Sequence, residues 1–253
     1  MGCSIAITSG KGGTGKSIVT SNLSLMLAKT GADVLILDAD LKMANLSLLL
    51  DLEYPEITLN EVLSGEAELK EAVYEKYGVK IVPAGVPLSK VKKARPDKLE
   101  EVLKKIIKDV DYILIDTSPG LEVDAVSALV GADNAVLVIN PEISSMVDAF
   151  KVKKVCDLLN TNILGLVINR VKYDLSELSI EEIETVLETN AIGVIPEDPI
   201  VKRSVAFGKP FYAMSPDSLA SKAIYKLGKS ILGEKQFIKK SKKPYTRLLK
   251  IFR

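Results

Sequence analysis

Histidine and tryptophan are absent from the 253 residues, and glutamine occurs once. Without histidine there is no Ser-His-Asp triad, no Cys-His dyad and no imidazole-ligated zinc. Cysteine appears only as Cys3 and Cys156, too far apart for a C-x-x-C pair. That spacing argues against zinc ribbons, dithiol redox chemistry and a disulfide scaffold, and it fits a reducing cytoplasm. No apolar run reaches the ~18 residues of a membrane span, and no signal-peptide pattern opens the chain, so the expectation is a protein neither secreted nor membrane-spanning. Acidic and basic residues nearly cancel, 33 against 34, but not locally. Eight basic residues (Lys235, Lys239, Lys240, Lys242, Lys243, Arg247, Lys250, Arg253) and no acidic one fall within residues 235–253, leaving the body at net −7. A basic tail on an acidic body suggests contact with something anionic.

The composition, 47% hydrophobic and 26% charged, is that of an ordinary globular chain. Apolar runs of strand length recur at Ser4 to Ser9, Asp33 to Asp38, Val79 to Pro83, Tyr112 to Asp116, Ala135 to Asn140, Ile163 to Asn169 and Ile192 to Pro196. Continuous apolar strands are buried on both faces. Helix-period segments lie between them, at Ser17 to Thr30, Asp97 to Lys108, Asp124 to Val130, Ser144 to Leu159, Ile180 to Glu188 and Ser218 to Leu232. The alternation predicts an α/β fold: a doubly wound, mostly parallel sheet flanked by helices. No linker divides residues 1–234, so one domain followed by a tail, 235–253, is expected.

The first apolar run ends in Gly10-Lys11-Gly12-Gly13-Thr14-Gly15-Lys16-Ser17, which fits G-x-x-x-x-G-K-[ST] between a strand and a helix. Glycines let the backbone wrap a phosphate chain, and free N–H groups at the helix start attract its charge. Lys16 would neutralise the β and γ oxygens and Ser17 would ligate Mg²⁺. Lys11 is a second cation in the same loop, and a solvated side chain is its bland reading. Asp38 and Asp40 close the second strand, where ligands bind in open α/β sheets, and alternate residues cannot face the same way until the strand has ended. Asp116 closes the apolar run Tyr112 to Ile115 and precedes Thr117-Ser118-Pro119-Gly120. It could be a loop cap, and Asp38 a strand terminator. No [NT]-K-x-D guanine motif follows a late strand.

K-G-G-T-G-K-S resembles the deviant Walker A box of the ParA/MinD ATPases. The resemblance covers the body from Ser4 to about Leu232. It implies an ATPase using ATP and Mg²⁺, in which Lys11 acts across a nucleotide-sandwich homodimer and Lys16 and Asp40 complete the catalytic set. By the same resemblance Asp40 positions the attacking water from switch I, Asp38 supports the Mg²⁺ shell, Asp116 is the Walker B carboxylate, and Thr117 to Gly120 is switch II. Asn45 matches a position near the dimer interface. Asn169, with Arg170 beside it, would meet the adenine edge, Pro196 and Asp198 flanking the ring. Ordinary strand-end turn chemistry is the alternative for these four.

In the tail, Tyr245, Leu248, Leu249 and Phe252 fall at i, i+3, i+4 and i+7, with Arg247 and Lys250 on the opposite arc and Pro244 before them. This short basic amphipathic helix would order only against a surface, and an anionic membrane supplies one. It is similar to the membrane-targeting helix of the MinD branch. The expectation is therefore an ATPase cycling between cytoplasm and the inner face of the cell membrane, with a protein regulator, that positions a structure such as the division site. The competing expectation is a partitioning ATPase on nonspecific DNA. Cluster-binding relatives are set aside, because the cysteines match no such pattern.

Overall fold

A computed structural model describes residues 2–52, 54–85 and 95–238. The tail beyond Ile238, including the predicted membrane residues Tyr245, Arg247, Leu248, Leu249, Lys250 and Phe252, lies outside the described residues. Eight strands form one sheet: β1 (Cys3–Thr8), β2 (Val34–Ala39), β3 (Tyr74–Lys76), β4 (Val79–Val82), β5 (Tyr112–Thr117), β6 (Asn134–Ile139), β7 (Asn162–Val171) and β8 (Ala191–Pro196). Their order is β3-β4-β2-β5-β1-β6-β7-β8, and only β3 runs antiparallel to its neighbour.

The helices are α1 (Lys16–Ala28), α2 (Leu46–Leu49), α3 (Leu59–Ser64), α4 (Leu99–Ile106), α5 (Val123–Gly131), α6 (Ile143–Leu159), α7 (Ile180–Leu187), α8 (Pro199–Ala206), α9 (Phe211–Met214) and α10 (Leu219–Ile238). They cover both faces. Successive strand residues alternate between two cores: Ile5 and Ile7 of β1 pack under α1 and α10 with Leu23, Met26 and Leu227, while Ala6 joins Leu103, Leu129 and Val152 from α4, α5 and α6. All residues of β1, β2, β5 and β6 are buried, which is why those runs read as continuously apolar. Helix α10 continues to Ile238, past the expected end of both that helix and the domain.

The sheet centre fixes the site. β1 lies between β5 and β6, so the turns leaving β1, β2 and β5 converge on one crevice at their carboxyl ends.

Candidate nucleotide and metal site

The loop from Gly10 to Gly15 leaves β1 and delivers the chain into α1. Gly15, φ 98°, occupies the N-cap position, and no side chain caps the helix, so the first-turn N–H groups face the crevice without a side-chain competitor. Two glycines are demanded by packing. A Cβ at Gly10 would stand 2.2 Å from the Asp148 carbonyl carbon, and one at Gly15 would stand 2.3 Å from Asn169 Nδ2. The loop is thereby wedged against α6 on one side and the end of β7 on the other.

The two lysines of the loop diverge. Lys16 is 7% exposed and donates from Nζ to Ser9 Oγ at 3.0 Å. Burial holds its ammonium below the usual lysine range, with Asp116 and then Asp40 opposing that shift. Lys11 turns outward, donating to Glu142 Oε2 at 2.7 Å and Ser144 Oγ at 3.0 Å. Met43, Val123 and Ile143 are exposed apolar residues at the starts of the loop and helices around this opening.

Asp38 and Asp116 sit side by side in register on β2 and β5. Asp38 is 1% exposed; Oδ1 accepts the Asp40 N–H at 3.1 Å, while Oδ2 is buried with no hydrogen-bond partner. Asp116 Oδ1 accepts from Thr20 Oγ1 at 3.2 Å, and Ser17 also bonds this carboxylate. Burial pushes both carboxyls up, Asp38 well above its ordinary range and Asp116 to about 6, because each is starved of water and, for Asp38, faces the charge of Asp116. Asp40 lies just past the end of β2, half-buried, and accepts the Met43 N–H at 3.1 Å. Asp38 and Asp40 are thus placed differently, one inside the sheet and one on the loop.

This donor set suits Mg²⁺ with a polyphosphate. An orphaned buried carboxylate oxygen beside a second raised carboxyl and the Ser17 hydroxyl is what a hard, oxygen-seeking cation that keeps some of its water needs. Among the described residues no group of three or more acidic, cysteine or histidine side chains makes an all-protein metal cage, so the ion would lean on phosphate oxygens. The raised carboxyls also have a consequence for pH. At Asp116 the native state holds its proton between about pH 4 and 6 where the unfolded chain does not, so this group's contribution to nucleotide-free stability falls as pH climbs through that window. Asp116→Asn removes a penalty on the order of 2–3 kcal/mol at pH 7.5. Without nucleotide or Mg²⁺ the variant melts several degrees higher than wild type at pH 7.5, the gap closing near pH 4; a lower Tm at pH 7.5 would contradict the reading.

A cavity of about 420 Å³ adjoins the loop and is lined by Gly15, Asn169, Arg170, Pro196, Asp198 and Val201, among others. All four residues assigned to the adenine side therefore share one wall, but two have other work. Asn169 donates from Nδ2 to the Thr14 carbonyl at 2.7 Å, pinning the phosphate loop. Asp198 caps α8 through Ile200 N at 3.0 Å and also accepts from Ala220 N at 3.1 Å, at the start of α10. Its carboxylate is spent on the backbone, so it shapes the cavity wall through the chain it holds. Arg170 is exposed with φ 61°, where the register of β7 and β8 slips. Sequence reasoning missed Glu142 and Ser144 as holders of Lys11, Thr20 as a partner of Asp116, and a Lys42–Glu122 ion pair. Of these only Thr20, one helical turn after Lys16, carried a periodicity signal.

A glycine-rich loop between a buried strand and a helix, with an inward lysine and two carboxylates at adjacent strand ends, defines a P-loop nucleoside triphosphatase. The family described as "ParA: NUBPL iron-transfer P-loop NTPase" matches residues 2–232. The chain belongs to the ParA family. It is 47% identical over 236 residues to an uncharacterized ATP-binding protein of Methanocaldococcus jannaschii, covering 93% of this chain and 89% of that one. Among solved structures it is similar to the Pyrococcus furiosus cell division ATPase MinD, at 43% identity and TM-score 0.89 over 92% of this chain and 99% of that chain. MinD of Pyrococcus horikoshii, solved with Mg-ADP, is 40% identical with TM-score 0.90, over 95% and 100%. The chain is an ATPase of the MinD/ParA class.

Proposed function

We propose that this ATPase works as two copies closed face to face on ATP, and that hydrolysis ends the association. The carrying observation is the division of labour between the loop lysines: Lys16 points into its own phosphate cradle, while Lys11 leaves it for Glu142 and Ser144 at the outer rim. A cation held at the rim is available to a triphosphate seated opposite. The exposed apolar residues Met43, Val123 and Ile143 supply surface for the contact.

Within this reading the loop N–H groups and Lys16 bind the phosphate chain, and Ser17, Asp38 and Asp116 hold Mg²⁺. That ion, when bound, neutralises charge on the β and γ oxygens. Asp40 orients the attacking water, and Lys11 stabilises charge on the γ-phosphoryl group of the second copy. The cavity beside Asn169 takes the base. Both cysteines are buried on different elements, Cys3 in β1 and Cys156 in α6, so an iron-transfer role finds no support in this chain's thiols. The basic tail gives the ATP-bound pair a foothold on anionic membrane, two weak attachments acting together by effective concentration. The relatives named for cell division support a role in positioning that process or another fixed structure.

Asp40→Ala carries the test. With ATP it is expected to bind nucleotide, hydrolyse it far more slowly and accumulate at twice the monomer mass by light scattering. It should also pellet with anionic vesicles, and loss of the final nine residues should abolish pelleting without changing the doubled mass. A strictly monomeric, ATP-loaded Asp40→Ala protein would end the proposal. Pelleting with DNA in place of vesicles would transfer the role to partitioning.

A further inference from the structure

A second group of charges lies beside the phosphate site and has no part in the steps of hydrolysis assigned so far. Asp124, in the first turn of α5, is 3% exposed. Its Oδ1 accepts only the adjoining Ala125 N–H, at 3.2 Å, and its Oδ2 is buried with no hydrogen-bond partner. An acid at a helix start is ordinarily explained by the macrodipole, but such acids are solvated, and the dipole does not satisfy a buried oxygen. Leaving a carboxylate oxygen dry is costly, so a donor should reach it in some state of the molecule.

Lys42 is the cation in place to do so. It lies two residues beyond Asp40 on the switch I loop and feels the charges of Asp124, Glu122 and Asp40 together. Its ammonium now donates to Glu122, with both side chains more than half exposed. Such a solvent-facing pair is weak and easily exchanged. The same ammonium on the buried oxygen of Asp124 would make a charge-assisted bond in a lower dielectric, and it would relieve the repulsion between Asp124 and Asp40. Glu122 and Asp124 are two residues apart at the start of α5, and both already act on the Lys42 charge.

We propose that Lys42 and Asp124 are a positioning pair for hydrolysis: when switch I closes on a nucleoside triphosphate, Lys42 leaves Glu122 for Asp124 Oδ2 and so fixes Asp40 over the γ-phosphate. This rests on the reading in which Asp40 orients the attacking water. Neither residue touches the reacting atoms; both act through Asp40.

The test is a double-mutant cycle on steady-state ATP hydrolysis by the full chain. Lys42→Gln and Asp124→Asn should each lower kcat about tenfold with KM for ATP nearly unchanged, and the double variant should be no slower than either single one. Lys42→Arg should recover most of the loss, and Glu122→Gln, which frees Lys42, should not slow turnover. Additive losses, or an Asp124→Asn enzyme with wild-type kcat, would overturn the pairing. Lys42 is exposed, so its variants report even where Asp124→Asn disturbs the fold. Retained turnover in Asp40→Ala would instead remove the reading beneath the proposal, whereas an inactive Asp40→Ala with an additive cycle removes the pair alone.

Discussion

Lys11→Ala is expected to hydrolyse ATP at least about 10³-fold more slowly than wild type while binding it with an affinity changed only a few-fold. The size follows from where charge develops. A cation added to the γ-phosphoryl group in the transition state is worth several orders of magnitude, because the charge it meets is larger there than in the ground state. The retained affinity follows from geometry. Lys11 Nζ is bonded to Glu142 and Ser144 at the rim, and the cradle is furnished by Lys16 and by backbone N–H groups. Phosphate release measures the first quantity and a fluorescent ATP analogue the second. Unchanged kcat would remove Lys11 from the reaction, and affinity falling in parallel with kcat would return it to its own loop.

Lys16→Ala should lose nucleotide binding by about 10²- to 10³-fold, as expected when one partner of a buried, hydrogen-bonded charge pair is deleted. Lys16 faces Asp116 and Asp40 inside the crevice, and its burial already costs its charge something. Deleting it leaves those carboxylates and Asp38 confronting a polyphosphate with one counter-charge fewer, so the variant combines a missing attraction with an added repulsion. Isothermal titration with ATP and Mg²⁺ decides this; an affinity within tenfold of wild type would show that the loop backbone suffices. Together the two variants, five residues apart, are expected to separate turnover from capture.

How much of this was legible in the sequence depended on whether the deciding interaction was local. The central strands were visible because burial on both faces forces unbroken Ile, Val and Leu runs, as in Tyr112 to Ile115. The phosphate loop was visible because glycine is required where its backbone meets Asp148 and Asn169. Strand β3 was missed: its three residues are half exposed, and its hairpin turn uses Tyr77 and Gly78 at φ 54° and 73° in place of a familiar Asn-Gly pair. Helix α8 was missed although Asp198 followed by Pro199 is a good helix start, because the resemblance assigns Asp198 to the base. Asn169 lines the cavity, but nothing in its own neighbourhood announces its bond to Thr14, 155 positions away. Long-range pairs such as Lys11 with Glu142 leave no periodic trace.

That bond from Asn169 to Thr14, with Gly10 seated on the backbone of α6, means the nucleotide-binding loop is already sculpted before any guest arrives. Ordering a free loop would cost on the order of 1–2 kcal/mol per residue at each loading. Here that entropy was surrendered once, during folding. Loading of a nucleotide therefore demands little rearrangement of this loop.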